Sequence, residues 1–473
     1  MTVFKASIFD KILTHKSSNQ YIVANTYLHI LGTCPEFLKQ YKASRKAKIW
    51  LRIRHCLVAT IKIFNSIFNK KHYSTQQENV DAEILFVSHL TNKKQTLQDN
   101  DAYFGDLPSQ LLGQGVSSSI ALINHAKVSN QVILGGWKGS RVYRFVLSSS
   151  LNFLSEMELY LTQRKSKKQL KLILEDLQIG KEFARDILHH HLSSSTLSSL
   201  RVAKQISDIA IQTGAKFIIT TYEGHAWERL VYYYARKANP NIKCFGYQHA
   251  AVFKCQHAIK RPLSAEYDPD IIFTSGLIAT DILRQEQLQE SEIVCMGSPK
   301  YLIPGTMTNK RQVCLVVPTY FVEECLDLFR FSLAYAKQHQ NQKFIWRLHP
   351  LVSFEKLKRH SSIFKEFTDN IYLSKDGLKE DIKKCDSVLY HSSTTVVNAI
   401  NAGLKPIYYE QSSDELNIDP IYTHKEGKSI VHNQEELGLA LDRDIDVKTM
   451  QSLHDFAQDF YTPLDVNALL KLL

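Results

Sequence analysis

The chain has no run of roughly 18–20 uncharged apolar residues, the length a helix needs to cross a bilayer. Its eight cysteines include no CxxC pair. That spacing excludes the common zinc frameworks and a disulfide scaffold, and fits a reducing compartment. Cys314, inside Val313-Cys314-Leu315-Val316-Val317, reads as a small buried apolar residue. The start, Met1-Thr2-Val3-Phe4-Lys5, lacks the apolar core and cleavage site of a secretory leader, so a cytoplasmic protein is expected. No zinc finger, aromatic RNP pattern or clean recognition helix occurs, and nucleic acid is not an expected partner. Internal repeats and low-complexity tracts are also absent. Acidic residues are in deficit, 47 against 58 Lys and Arg, for a formal charge of +11. Such a balance favours an anionic partner, either a sugar nucleotide or an acidic membrane surface.

What is present is a globular composition, 44% hydrophobic and 22% charged, over 473 residues. That length suits two or three domains. Residues 1–80 read as a basic helical N-terminal extension. Within residues 46–71, Trp50, Ile53, Leu57, Ile61, Phe64 and Phe68 recur at helical spacing among Lys46, Lys48, Arg52, Arg54, Lys62, Lys70 and Lys71. Such a helix either rests on an anionic membrane, which would place the protein on the inner face of the cytoplasmic membrane, or packs on its own protein. Residues 72–81 read as a polar linker.

From Glu83 onward, strand and helix signals alternate. Apolar runs predict strands at Glu83–His89, Gln131–Leu134, Phe217–Thr220, Cys244–Tyr247 and Ile271–Thr274, with a long helix over about Lys168–His189. The pattern pauses around Gly297-Ser298-Pro299-Lys300, then resumes through Val313, Phe344, Ile371, Val388 and Ile407. The expected fold is α/β: two Rossmann-like domains, 81–298 and 299–473, facing a cleft, with a hinge near Ser298-Pro299. His189-His190-His191 reads as a polar helix end and Asp99-Asn100-Asp101 as loop, so no metal site is expected.

Two strand ends carry the chemistry of the second half. Phe344-Ile345-Trp346 ends in Arg347 and His349-Pro350. Ser387-Val388-Leu389-Tyr390 ends in Ser392-Ser393-Thr394-Thr395 ahead of a short helix closed by Gly403. Imidazole and guanidinium on one side, with hydroxyls and a helix start on the other, suit a nucleotide phosphate outside the carboxyl ends of adjacent strands. In the first half, Phe217–Thr220 opens into Thr221-Tyr222-Glu223-Gly224-His225, and Glu223 is placed to take a proton from an attacking hydroxyl. Glu228 is the second choice as base, although it also reads as a helix-surface partner of a basic side chain. Gln248 and His249, at the next strand end, and Tyr103 and Asp106, after the first strand, are candidates for the cleft or the acceptor side.

These residues resemble bacterial surface-polysaccharide glycosyltransferases of the GT-B type, specifically those using CMP-activated sialic-acid-like (nonulosonate) or Kdo-like sugars. That group carries an acidic-acidic-glycine motif, an HP motif and an SS motif in this order, matched here by Tyr222-Glu223-Gly224, His349-Pro350 and Ser392-Ser393. The similarity spans roughly residues 80–410 and departs at Tyr222, which stands in place of the first acid. It implies Glu223 as general base, His349 as phosphate contact and aid to CMP departure, and Ser392 and Ser393 as phosphate ligands. The implied reaction is metal-independent, inverting transfer to a glycan or lipid-linked glycan, with no cofactor beyond the donor. A UDP-sugar, CDP-glycerol as donor, and a non-catalytic scaffold for glycan assembly are the competing readings.

Overall fold

The computed structural model describes residues 2–29, 45–67, 72–77, 79–126, 128–137, 139–286, 290–301, 312–411 and 418–473. The first sheet holds β1 (Tyr73–Thr75), β2 (Ile84–Leu90), β3 (Ser118–Asn124), β4 (Tyr143–Leu147), β5 (Phe217–Thr221), β6 (Lys243–Gln248), β7 (Ile271–Thr274) and β8 (Glu292–Cys295). The second holds β9 (Val313–Val317), β10 (Lys343–Trp346), β11 (Ile371–Leu373), β12 (Ser387–Tyr390), β13 (Lys405–Tyr409) and β14 (Ser429–Val431). Their spatial orders are 1-4-3-2-5-6-7-8 and 11-10-9-12-13-14. Every pairing is parallel except β1 with β4.

In each sheet the chain winds outward from the middle in one direction, then returns and winds out in the other. Strand order therefore reverses between β2 and β5 in the first sheet and between β9 and β12 in the second. Because both faces of a parallel sheet are covered by helices, its central strands are buried: β5 and β12 are buried at every position. Two such α/β units facing a cleft form the expected GT-B-like architecture.

Several elements differ from expectation. Gln131–Leu134, anticipated as a strand, lies in the helix Asn130–Gly135, with Ser129 at its N-cap position. A four-residue Val-Ile-Leu-type run has no period to separate the two states. The strands that fill that part of the sheet are β3, which starts on two serines, and β4. The long helix is two helices, Phe153–Asp176 and Lys181–His191, broken where Gln178 takes a φ of 53°. The linker contributes an edge strand, β1. The strands bearing Trp346 and Tyr390 are not neighbours, since β9 lies between them.

Residues 2–29 are built into the first unit. Phe9, Ile12, Ile22 and Leu28 are fully buried in the same core as Leu85 and Val87, and Asp10 pairs with Arg261 at 2.8 Å. The chain passes between the units twice. After β8, the Ser298 N–H donates to the Thr462 carbonyl at 2.9 Å. The last helix, Val466–Leu470, buries Leu469 against the first sheet's core beside Leu107 and Leu111. The expected hinge at Ser298-Pro299 is thus fastened to the returning strand of chain, where a Cβ on Gly297 would sit 2.0 Å from the Pro463 carbonyl.

Candidate functional site

The carboxyl ends of β2, β5 and β6 meet at the first reversal point, where open α/β sheets leave a crevice. Glu223 follows β5 there. Its Oε2 lies 3.1 Å from His225 Nε2 and its Oε1 lies 3.8 Å from His249 Nε2. The His249 ring meets Tyr103 edge-on at 4.7 Å, and Tyr103 meets His89 at 5.5 Å. His89 bridges His125 (3.0 Å) and the Thr221 hydroxyl (3.1 Å), with Trp227 perpendicular to it at 5.3 Å. Glu223, His249 and Tyr103, three of the residues named from sequence, are therefore brought together. His89, His125 and His225 join them and were not singled out, although His89 ends an apolar run and His225 lies two residues after Glu223.

Burial is the largest single influence on each group of this cluster, and neighbours overcome it only at Glu223 and His225. Burial alone would raise the Glu223 carboxyl and lower the His225 imidazole. Their hydrogen bond and opposite charges reverse both shifts, taking Glu223 down to about 2 and His225 up to about 9. Burial, reinforced by the neighbouring histidines, pushes His89 down to about 3. Burial also takes His249 down to about 4 despite the pull of Glu223. Burial lowers His125 as well, so at neutral pH Glu223 is a carboxylate, His225 an imidazolium, and His89, His125 and His249 are neutral imidazoles. The Oε2 oxygen of Glu223 is engaged by His225, and its Oε1 lies 3.8 Å from His249 Nε2.

The supports are equally specific. Gly224 has φ +80°, and a Cβ there would fall 2.2 Å from the Ala258 carbonyl oxygen, so the loop rests directly on that backbone. Replacing Gly224 with Ala is expected to cost more than about 1 kcal/mol, read as a lower urea midpoint at unchanged slope. Arg229, with a fully buried side chain, pairs with Asp268 and donates to the carbonyls of Ala258 (2.8 Å) and Arg261 (2.6 Å). Asp101 accepts from Ser88 (2.8 Å) and from the Tyr103 and Phe104 N–H groups (2.8 and 2.9 Å), which fixes Tyr103 in place.

Other expectations fall away from the cluster. Glu228 is not a surface residue: it is buried and accepts from the Glu223 N–H at 3.1 Å and the His225 N–H at 2.7 Å, a helix-capping role. Gln248 is buried and accepts from Ser275. Asp106 is exposed and takes a bond from Gln110 at 2.8 Å. Tyr222 is fully buried, its ring against Gly246 and its hydroxyl without a partner.

In the second unit, the Leu351 N–H donates to His349 Nδ1 at 3.2 Å. Burial lowers the His349 pKa, so this neutral ring carries its proton on Nε2 and can donate from there. Nη1 of Arg347 is engaged by Asp381 (2.7 Å), Ser374 (3.1 Å) and the Asp376 carbonyl (2.8 Å). The Ser392 hydroxyl donates to Glu324 at 2.6 Å, and the same carboxylate accepts from the Thr319 N–H and hydroxyl at 3.1 and 2.7 Å. A carboxylate therefore occupies the second reversal point, where a phosphate was expected. Ser393 is buried, and Thr394 N-caps Thr395–Asn401 without a side-chain bond. Tyr320, which follows β9, has its ring 5.7 Å from the His349 ring.

A cavity of about 1100 Å³ with many polar groups in a partly apolar wall adjoins the first cluster, running from His89, His125 and Trp227 past Asn124 and Ser149 to Lys62. Among the described residues, no group of three or more His, Cys, Asp or Glu side chains is placed to hold a metal ion. Nor, among them, is any helix long and apolar enough to cross a membrane.

No protein-family model and no curated protein matches the chain. Solved structures similar to it include the glycotransferase of kitacinnamycin, at 9% identity and TM-score 0.49 over 83% of this chain and 98% of that one. The glycosyltransferase SnogD from Streptomyces nogalater is 12% identical at TM-score 0.46, over 83% of this chain and 100% of that one. The UDP-N-acetylglucosamine 2-epimerase from Rickettsia bellii is 13% identical at TM-score 0.46, over 83% and 96% of the two chains. The sheet orders and the two reversal points identify the architecture without a name for the reaction.

Proposed function

We propose that the chain is a glycosyltransferase that moves a sugar from a nucleotide donor to a glycan acceptor, directly and with inversion. The observation that supports this most is the Glu223 carboxylate at the first reversal point, its Oε1 3.8 Å from His249 Nε2, in a cluster whose His89 and His125 line a large cavity with hydroxyl, amide and indole groups that suit a polyhydroxylated acceptor. In the reaction, the acceptor oxygen forms its bond to the sugar's anomeric carbon as the bond to the nucleotide's phosphate oxygen breaks. The phosphate leaves with the electron pair, and the acceptor proton passes to Glu223. A carboxylate held near 2 is a weak base, but an attacking hydroxyl becomes strongly acidic as its new bond forms. The imidazolium of His225 keeps the carboxylate ionised and oriented, and His349 Nε2–H is the donor to the leaving phosphate.

On the donor, two observations favour a nucleotide other than CMP, a UDP-sugar first. The Ser392 hydroxyl is taken by Glu324, and the position of the first acid holds a buried tyrosine. Transfer of a CMP-linked nonulosonate or Kdo-like sugar is the second reading, resting on the resemblance at Glu223-Gly224, His349-Pro350 and Ser392-Ser393. In that form, phosphate displaces Glu324 from Ser392 or binds beyond it on Ser393 and Thr394.

Thermal shift with UDP, CDP, CMP and GDP separates the readings. A ligand at 100 times its Kd adds about 2.7 kcal/mol of stability. We expect UDP to raise the melting temperature and His349→Ala to remove most of that rise. A shift with CMP alone restores the CMP reading. No shift with any nucleotide, and no nucleotide release with acceptor glycans, would leave a scaffold.

A further inference from the structure

The helix Arg45–Ser66 is amphipathic in the unexpected direction. Its inward side presents His55, Ala59, Lys62 and Ser66: Ala59 and Ser66 are buried, and Lys62 bonds to the Ser149 carbonyl. Its outward side presents Trp50, Ile53, Leu57, Ile61 and Phe64, each 52–70% exposed. Five large apolar side chains in one stripe exceed the scattered singles normal for a surface. Phe68, Lys70 and Lys71, which continue the sequence pattern, lie outside the described residues.

Charge says what covers the stripe. Between Glu36 and Glu78 the sequence holds ten Lys and Arg and no Asp or Glu. Beside the helix, where it meets Phe153–Asp176 and Lys181–His191, is a second cavity of about 730 Å³. Leu174, Ile179 and Leu188 line it, and the exposed cations Arg164, Lys167 and Lys171 stand around it, Lys171 paired with Glu175 at 3.3 Å. An apolar stripe within a basic stretch of sequence, and an apolar slot with cations around it, match a surface that is hydrocarbon below and anionic above.

We propose that this face docks on an anionic lipid bilayer, with the stripe seated among the lipids and the slot taking the hydrocarbon chain of one acidic lipid. A bilayer-borne acceptor would then arrive next to the larger cavity, which the same helix borders at Lys62. The docking itself does not depend on the sugar-transfer reading.

Flotation of the full chain with neutral phosphatidylcholine vesicles, and with vesicles containing phosphatidylglycerol, tests it. Binding is expected to be about ten-fold or more stronger on the anionic vesicles, since each cation near such a surface adds about 1 kcal/mol. Trp50 emission should move to shorter wavelength there and be quenched by lipids with brominated chains. Leu57→Glu with Ile61→Glu, on the exposed side, should abolish binding while leaving the melting temperature and transfer to a soluble acceptor unchanged. Dodecyl phosphate below its micelle concentration probes the slot alone: Lys167→Glu with Lys171→Glu should weaken it about ten-fold. Equal binding to neutral vesicles overturns the proposal. So does a Trp50 shift that follows protein concentration without lipid, which would make a second copy of the chain the occupant. Dodecyl phosphate binding indifferent to the Lys pair removes the slot.

Discussion

Replacing Glu223 with Gln is expected to lower turnover by about 100- to 10,000-fold, the range for loss of a positioned base. Nucleotide binding should survive, because the nucleotide is assigned to the other unit. The variant also has a spectroscopic signature. His225 is held up at about 9 chiefly by Glu223, against its burial, which lowers it. In Glu223→Gln burial loses its main opponent, and the His225 ring, followed by NMR, should titrate back toward the ordinary imidazole range. Full activity in the variant, or an unmoved His225 titration, would refute the pairing.

The same pair fixes a pH window. Folded His225 binds its proton more tightly than the unfolded imidazole at 6.5, so its contribution to stability is complete below that value and disappears as pH rises through about 9. Folded Glu223 loses its proton more readily than the unfolded carboxyl at 4.5, so its contribution is present above that value and disappears as pH falls through about 2. Both contributions coexist between roughly pH 5 and 6, and the charged pair itself persists up to about 9. Glu223→Gln should flatten both limbs of the stability–pH curve.

The second large effect is structural. Arg229→Met leaves Asp268 without its buried partner and strips donors from the carbonyls of Ala258 and Arg261. Breaking a buried pair by removing one member costs about 3–5 kcal/mol. The Ala258 carbonyl is also the surface on which Gly224 rests, so the loop that carries Glu223 should loosen with it. Urea unfolding should show the lost stability, and kcat should fall more than nucleotide affinity. Replacing Arg229 and Asp268 together, with Met and Leu, should recover part of the stability, because no unpaired charge then remains buried. A loss below about 1 kcal/mol in the single variant would show the network to be dispensable.

Much of the architecture was legible because parallel strands buried on both faces write themselves as unbroken apolar runs. Ile84–Leu90, Phe217–Thr221, Val313–Val317 and Ser387–Tyr390 all stand out in this way. Gln131–Leu134 misled for the same reason, since three apolar residues in a row fit a strand or a short helix equally. The outward stripe of Arg45–Ser66 was visible in its spacing, but spacing identifies a face and not what lies against it.

By itself, the sequence determined the two α/β halves, the strand ends that carry Glu223 and His349, and the basic N-terminal helix, because hydrophobic period and polar punctuation are local properties. Only the tertiary structure decided which ends become neighbours. Winding order brings β2 beside β5 and so gathers His89, Tyr103, His225 and His249 around Glu223; it puts β9 between Arg347 and Ser392, and it sets Glu324 on the Ser392 hydroxyl. Side chains 120 or more residues apart, as His89 and Glu223 are, meet through strand order, and strand order leaves no mark on the local pattern.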